Sequence, residues 1–503
     1  MAGGLFADRK RLWDFTRPAA AWIRIGRPVI KVGKRLLGLP MAVILLAIIW
    51  SARVITGSPR AAAQDPQEPP VGKPSPRLLP PPDGAIAPGD VDPKTLTAVV
   101  DELVACGTRS SLSSWQAGDR GIGCGRDRIV ARFEQISRST GGRLKVNVER
   151  FQATAERTGG RPLPLENVVA ILPGSDPLVE TVFIVSGHFD SRPSDVMDPA
   201  AGAPGADDDG SGVAVSLECA RLLASHQPAG GYRATLIFAA VSGEEQGLLG
   251  STHLVDYLRQ NGYAVGGMLD DDIVGADFAP GAPHRVRLFS AGGAEGADSP
   301  SRELARAVEE IDSSAAVRLI FREDRLGRGG DHIPFSDAGW PAVRFTEPLE
   351  DYHHEHQTPR VENGVQYGDL PQFMNFQFLS NVVRDNAEAL RELAMAPAPP
   401  VEVALSGAVT PDATVHWNAA PDPARAGFEI LWRDTTAPRW SVYDFVTTGS
   451  EYVFQGVSTD NHFFAVRAVG TNGARSLATP AAPRLRRPAS VQPAAPPSGA
   501  HQQ

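Results

Sequence analysis

The feature that most constrains the fold is a pair of apolar runs, "TVFIVSGHFDS" (181–191) and "ATLIFAAVSGEEQG" (234–247), each ending abruptly in side chains fit for metal chemistry. Each begins as a buried strand. Strands that read as continuous apolar runs belong to the interior of a sheet covered by helices. His188 and Asp190 leave the first run and Glu244 and Glu245 leave the second, at the strand exits where open α/β sheets gather their functional groups. Helical patterns such as "DPKTLTAVVDELVA", "SRELARAVEEI" and "NFQFLSNVVRDNAEALRELA" alternate with the strands between about 94 and 396. That alternation predicts an α/β domain with helices on the faces of its sheet.

The flanks of this domain differ in kind. Residues 1–60 carry a net charge of +9, which leaves −18 for the rest of the chain. An acidic body argues against nucleic acid as a partner. After Lys34-Arg35 comes an uncharged run, 36–52, followed by "PRAAAQ". This reads as an export signal, either cleaved near residue 63 or kept as a single membrane anchor. Both readings place the body outside the cytoplasm, as a periplasmic or secreted protein or as one tethered to the inner membrane. Residues 64–93 are Pro-rich and predict an extended tether. From 399 to 485 short alternating strands without helices predict a small all-β sandwich, and 486–503 is expected to lack order.

Three cysteines suit an exported protein with one disulfide. Cys106 and Cys124 are the natural pair, since Cys219 lies in the apolar-periodic "GVAVSLECARLLA"; the other reading leaves all three as thiols. Asp207, Asp208 and Asp209 form a triplet in a Gly-rich turn before a helix. Alone it reads as an acidic surface loop. Beside His188, Asp190 and the Glu244-Glu245 pair it reads as a cation site, because adjacent carboxylates repel unless a cation sits among them.

Three strings, "GHFDS", "PGADDDGSG" and "SGEEQGLLGS", in this order and at these spacings, resemble the di-zinc exopeptidases of the twenty-eighth metallopeptidase family, which includes bacterial aminopeptidases and glutamate carboxypeptidases. The resemblance implies a mixed central sheet flanked by helices. It implies two Zn2+ per chain, one held by His188, Asp208 and Asp272 and one by Asp208, Glu245 and His356, with Asp208 shared. "MLDDDIVGAD" places Asp272, with Ile273 where the family has methionine. "DYHHEHQTP" places His356, although an extra glutamine follows it. His354 is the runner-up for that ligand, because alternate residues of an extended chain face the same way, and His353 should point away.

Glu244 then takes the role of general base and Asp190 that of the carboxylate orienting His188. Asp331 and His332, in "FREDRLGRGGDHIPF", are candidates to line the pocket. Trp417, Trp432 and Trp440 are expected in the core of the sandwich, which resembles a fibronectin type III module and leaves a protein or polysaccharide partner open. The implied activity is a peptidase taking a peptide substrate, an aminopeptidase first. The alternatives are a carboxypeptidase or other amidohydrolase on the same site, or a binding module without catalysis.

Overall fold

A computed structural model describes residues 77, 79–80, 82–177, 179–278, 284–293, 298–311 and 317–483. The basic N-terminus, the apolar run 36–52, most of the Pro-rich stretch and the tail from 484 lie outside the described residues, and among those described no helix is long and apolar enough to cross a membrane.

The main sheet holds β1 (Lys145–Ala153), β2 (Leu163–Leu172), β3 (Thr181–His188), β4 (Thr235–Val241), β5 (Ala264–Asp271), β6 (Val286–Ser290), β7 (Val317–Ile320) and β8 (Ala342–Thr346), in the order β1-β2-β4-β3-β5-β8-β6-β7. Its centre, β4-β3-β5-β8, is parallel, while β1, β2 and β6 introduce antiparallel pairs. The sheet is therefore mixed. The two apolar runs of the sequence are neighbours at its centre, with His188 paired to Val241, so their exits open on the same edge.

Helices α1 (Pro93–Val104), α2 (Ile122–Ser139), α3 (Gly210–Ser225), α4 (Leu249–Gln260), α5 (Pro300–Ile311), α6 (His332–Asp337) and α7 (Phe376–Met395) flank this sheet. Asp92 caps α1 by accepting from the Lys94 amide, with Pro93 at the first helical position, so "DPKT" is a start signal in the chain itself. α3 is buried along nearly its whole length, which explains why its sequence is apolar on every side. It approaches β3 so closely that a Cβ on Gly187 would lie 2.4 Å from the carbonyl carbon of Gly212, and one on Gly212 would lie 1.9 Å from Asp271 O. Only glycine fits at either position.

A hairpin of β9 (Arg360–Glu362) and β10 (Val365–Tyr367) follows the main sheet. The sandwich comprises β11 (Val401–Ser406), β12 (Ala413–Asn418), β13 (Arg425–Asp434), β14 (Ser441–Val446), β15 (Glu451–Phe454), β16 (His462–Gly470), β17 (Thr479–Pro480) and β18 (Ala482–Pro483). These form two sheets, β15-β12-β11-β18 and β14-β13-β16-β17. Trp417 lies in the core between them and Trp432 packs against it.

Trp440 is buried with Leu431, Ala465 and Ala478 in a second core cluster of the sandwich, and its indole Nε1 also donates to Glu303 Oε2 of α5 at 2.7 Å, so it ties the sandwich to the seam between the two parts. Along that seam the acidic residues of α5 meet sandwich arginines: Glu309 pairs with Arg439, and Glu310 with Arg467 and Arg475. The end of the stretch expected as a tether is also packed. Ile86 and Val91 are buried in the core, and Arg391 donates to the carbonyls of Pro82 and Asp83 at 2.9 and 3.1 Å.

Candidate metal centre

The parallel strands deliver their exits to one place. His188 ends β3, Asp272 follows β5, Glu245 follows β4, Asp208 stands two residues before α3, and His356 comes from the loop after β8. Two groups result, His188 with Asp208 and Asp272, and Asp208 with Glu245 and His356, each with one donor atom per residue within 4.8 Å of the others. His188 Nε2 is 3.2 Å from Asp208 Oδ1 and 3.7 Å from Asp272 Oδ1. His356 Nε2 is 2.9 Å from Asp208 Oδ2 and 3.3 Å from Glu245 Oε1. Asp208 is common to both groups.

The chemistry of this cluster calls for a cation. His188 Nε2, Asp208 Oδ2, Glu245 Oε1 and Asp272 Oδ1 are buried without a hydrogen-bond partner, and all four face the two groups. Four orphaned polar atoms aimed at one spot would be costly unless something there pairs with them. Burial by itself would lower the His188 pKa, but Asp190, Asp208 and Asp272 outweigh it and raise it well above the usual imidazole range. Burial likewise opposes the charge on His356, yet Glu245 and Asp208 push it up to about 11. The carboxylates thus call for positive charge at this spot, and a metal ion would supply it in place of protons on the imidazoles. Two imidazoles and three carboxylates are donors that suit zinc.

Glu244 is half-buried beside this cluster. Burial, with Glu245, Asp272 and Asp331 nearby, raises its carboxyl well above the usual range against the opposing pull of His188. A carboxylate whose surroundings raise it in this way is a stronger base towards a proton at the site.

Asp190 does more than orient one ring. The partner nearest to His188 Nδ1 is the Asp190 carbonyl at 3.1 Å, with the carboxylate at 3.5 Å. That carboxylate accepts from the amides of Glu244 and Glu245, both at 3.3 Å, and from Ser111 Oγ at 3.1 Å. It therefore ties the exit of β3 to the exit of β4.

The extended-chain argument for the three histidines does not apply, because 352–356 is a turn rather than a strand. His353 Nδ1 pairs with Asp351 at 3.0 Å, and His354 stacks on Phe373 with ring centroids 3.6 Å apart. Of the three, His356 is the one that reaches Asp208 and Glu245, from a left-handed backbone with φ of 53°.

Asp331 and His332 are buried near the site without joining it. His332 Nδ1 lies 3.2 Å from Asp270 Oδ2 and its Nε2 lies 2.8 Å from the Glu323 carbonyl, so both ring nitrogens are occupied. Asp331 accepts from Ser251 Oγ at 2.5 Å.

Several further residues hold the ligands in place, and of these only Asp209 stood in a motif the sequence had singled out. Arg344, wholly buried, sets Nη1 2.7 Å from Asp272 Oδ2. Asp209 caps α3 through the Gly212 amide at 2.7 Å and accepts from the His188 amide at 2.9 Å. Asp369 accepts from the amides of Asp207 and Asp208 at 2.7–3.0 Å. Arg109, inside the loop closed by the Cys106–Cys124 disulfide, donates to the carbonyls of Phe189 at 2.7 Å and Gly205 at 2.8 Å. Of these, Arg344 carries a local signal, a charged residue between the apolar neighbours of "AVRFT", whereas Arg109 in "GTRSS" and Asp369 in "YGDLP" carry none.

The model of peptidase family M28 matches residues 167–367, which spans the sheet exits and all five candidate ligands. A "Probable zinc metalloprotease" of Pyricularia oryzae is 39% identical over 444 residues, covering 82% of this chain and 87% of that protein. One of Leptosphaeria maculans is 38% identical over 414 residues, covering 77% and 94%. Among solved structures, an aminopeptidase of Legionella pneumophila, LapA, is 20% identical with a TM-score of 0.45, covering 61% of this chain and 73% of that one. A glutaminyl cyclase of Fimbriiglobus ruber is 20% identical with a TM-score of 0.46, covering 62% and 97%. On the extent of its likeness to the two curated relatives, and with the family model lying over the candidate centre, the chain belongs to peptidase family M28.

Proposed function

We propose that the protein is an exported di-zinc exopeptidase, first of all an aminopeptidase. His188, Asp208 and Asp272 would hold one ion, and Asp208, Glu245 and His356 the other. The observation that carries this reading is the sharing of Asp208 between two groups in which four of the five side chains present a buried donor atom without a hydrogen bond. Zinc held there supplies Lewis-acid polarisation of the scissile carbonyl and makes water a stronger acid.

The chain's own residues do the rest. Glu244 accepts a proton from the attacking water and delivers it to the leaving amine. Asp190 keeps Glu244 and Glu245 in register with His188, and Arg344 and Asp369 fix Asp272 and the Asp207-Asp208 turn. Arg192, whose Nη1 lies 3.6 Å from Glu245 Oε2, favours the carboxypeptidase alternative, because a guanidinium there would suit a terminal carboxylate.

Export rests on the charge asymmetry around the apolar run 36–52. The strand order of the sandwich, two sheets exchanging strands across its core, supports a fibronectin type III-like module over 399–485. Hydrolysis of one peptide in free-amino, amino-blocked and carboxyl-blocked forms, with and without chelator, tests the activity. Cleavage of the amino-blocked form with the free-amino form untouched would refute the aminopeptidase assignment, and activity that survives full metal removal would refute the di-zinc one.

A further inference from the structure

Each group contains one carboxylate that the two groups do not share, Asp272 in the first and Glu245 in the second. Both divide their oxygens in the same way. Asp272 Oδ1 is buried without a hydrogen bond, 3.7 Å from His188 Nε2, while Oδ2 meets Arg344 Nη1 at 2.7 Å. Glu245 Oε1 is likewise buried without a hydrogen bond, 3.3 Å from His356 Nε2, while Oε2 meets Arg192 Nη1 at 3.6 Å. One oxygen faces the group and the other faces an arginine.

The two arginines come from different elements. Arg344 lies on β8, where it is wholly buried and donates to the Gly329 carbonyl at 2.8 Å. Arg192 stands four residues beyond the end of β3, so the strand exit that gives His188 to the first group also sends a guanidinium to a ligand of the second. Its side chain is 18% exposed, so replacing it opens no hole in the core. The backbone of Glu245 is anchored without it: the carbonyl accepts from Arg157 Nη1 at 2.9 Å and the amide donates to Asp190 Oδ2 at 3.3 Å. Arg192 therefore acts on the carboxylate and not on the chain that carries it.

A guanidinium beside one oxygen of a carboxylate competes with a metal for that oxygen. Catalytic zinc sites need a ligand position left free for water. A carboxylate that lends both oxygens would fill it.

We infer that Arg192 is a positioning residue of the second group: it reserves Glu245 Oε2, as Arg344 reserves Asp272 Oδ2 in the first, so that each carboxylate offers its ion one oxygen. The inference rests on the di-zinc reading and adds to it what keeps the ions open. It also gives Arg192 a use other than holding a terminal carboxylate.

The test loads the full chain with Co2+ in place of zinc and compares the wild type with Arg192→Gln and Arg157→Gln. The visible d–d bands of Co2+ lose intensity as further ligand atoms join the ion. Arg192→Gln should take up one Co2+ per group with weaker bands than the wild type, because Oε2 is released to the ion. It should hold metal no less tightly against a competing chelator, yet lose about 10- to 100-fold in turnover. Arg157→Gln, which touches only the Glu245 carbonyl, should keep the wild-type bands. A residue that merely propped Glu245 would release the second ion when replaced. Loss of that ion, unchanged bands in Arg192→Gln, or equal weakening in Arg157→Gln overturns the inference.

The spectra need no substrate, which separates this inference from the peptidase reading. Bands that weaken as expected in a protein that hydrolyses no peptide keep Arg192 in this role and remove the peptidase. Wild-type bands in Arg192→Gln beside full peptidase activity in the wild type do the reverse, and a wild type that leaves either group without Co2+ removes both.

Discussion

Asp208 sets one carboxylate oxygen 3.2 Å from His188 Nε2 and the other 2.9 Å from His356 Nε2, so that a single side chain links a strand exit to a loop 168 positions later. The link lies next to Glu244, which offers a carboxyl to the site without belonging to either group. The two adjacent glutamates therefore separate in position, Glu245 inside a group and Glu244 beside it.

Glu244→Gln should retain both zinc ions per chain and lose about 10²- to 10⁴-fold in turnover, because proton transfer is removed and no ligand is. Metal analysis of the purified variant alongside its kcat checks this. Empty sites would mean that the roles of Glu244 and Glu245 are reversed.

His356→Ala should reduce zinc to about one ion per chain and abolish measurable activity, since it strips one of the three donors from its group. His353→Ala should leave zinc content unchanged, because that ring faces Asp351 at the surface. His354→Ala should do the same, with a modest loss of stability from the Phe373 stack, of roughly 1 kcal/mol. One zinc in the His354 variant and two in the His356 variant would reverse the assignment.

Glu149 predicts a pH dependence away from the ligands. Both its carboxyl oxygens are buried without a hydrogen bond, with His253 Nε2 3.9 Å from Oε2, and burial raises its pKa from 4.5 to about 7, against a smaller lowering by Asn167. A carboxyl raised on folding stays protonated in the native state while the unfolded chain ionises, so stability is full below pH 4.5, falls between 4.5 and 7, and is flat above. The loss amounts to about 3 kcal/mol at most. Glu149→Gln has no such window, and its urea midpoint should gain on the wild type between pH 5 and pH 8. An identical pH profile for both proteins would show that Glu149 is ionised in the fold.

The Cys106–Cys124 disulfide closes a loop of 18 residues and should contribute roughly 3 kcal/mol. Denatured, unreduced protein recovered from outside the cytoplasm should titrate one thiol, that of the buried Cys219. Three thiols would dispose of the bridge. Since Arg109 and Ser111 lie inside this loop and hold Phe189, Gly205 and Asp190, the Cys106→Ser/Cys124→Ser variant should also bind zinc less tightly.

Much of the centre was legible because its signals are local. A buried strand followed at once by His188, or by Glu244 and Glu245, carries its own chemistry within a dozen residues, and the Asp207–Asp209 turn opens a helix that begins on the next residue. Alternating strands and helices likewise announce an α/β sheet, because the period of the apolar pattern is a property of each short segment. The sequence by itself determined the class of the fold, the sandwich that follows, and which strand exits carry donors.

Only the tertiary structure decided what long-range contacts decide. Arg344, Asp369 and Arg109 act on residues 72 to 162 positions away, and their own neighbourhoods carry no trace of it. The choice among His353, His354 and His356 depended on a turn that parity cannot describe, and the nitrogens of His332 were claimed by Asp270 of β5 and by the Glu323 carbonyl of its own segment. Trp440 reads as a sandwich-core tryptophan and is one, but only the packing of α5 gives its indole Glu303 as a partner. Periodicity records which face of an element is apolar, whereas the partner that a buried charge or ring finds is set by which elements the fold packs together, and that information is spread over the whole chain.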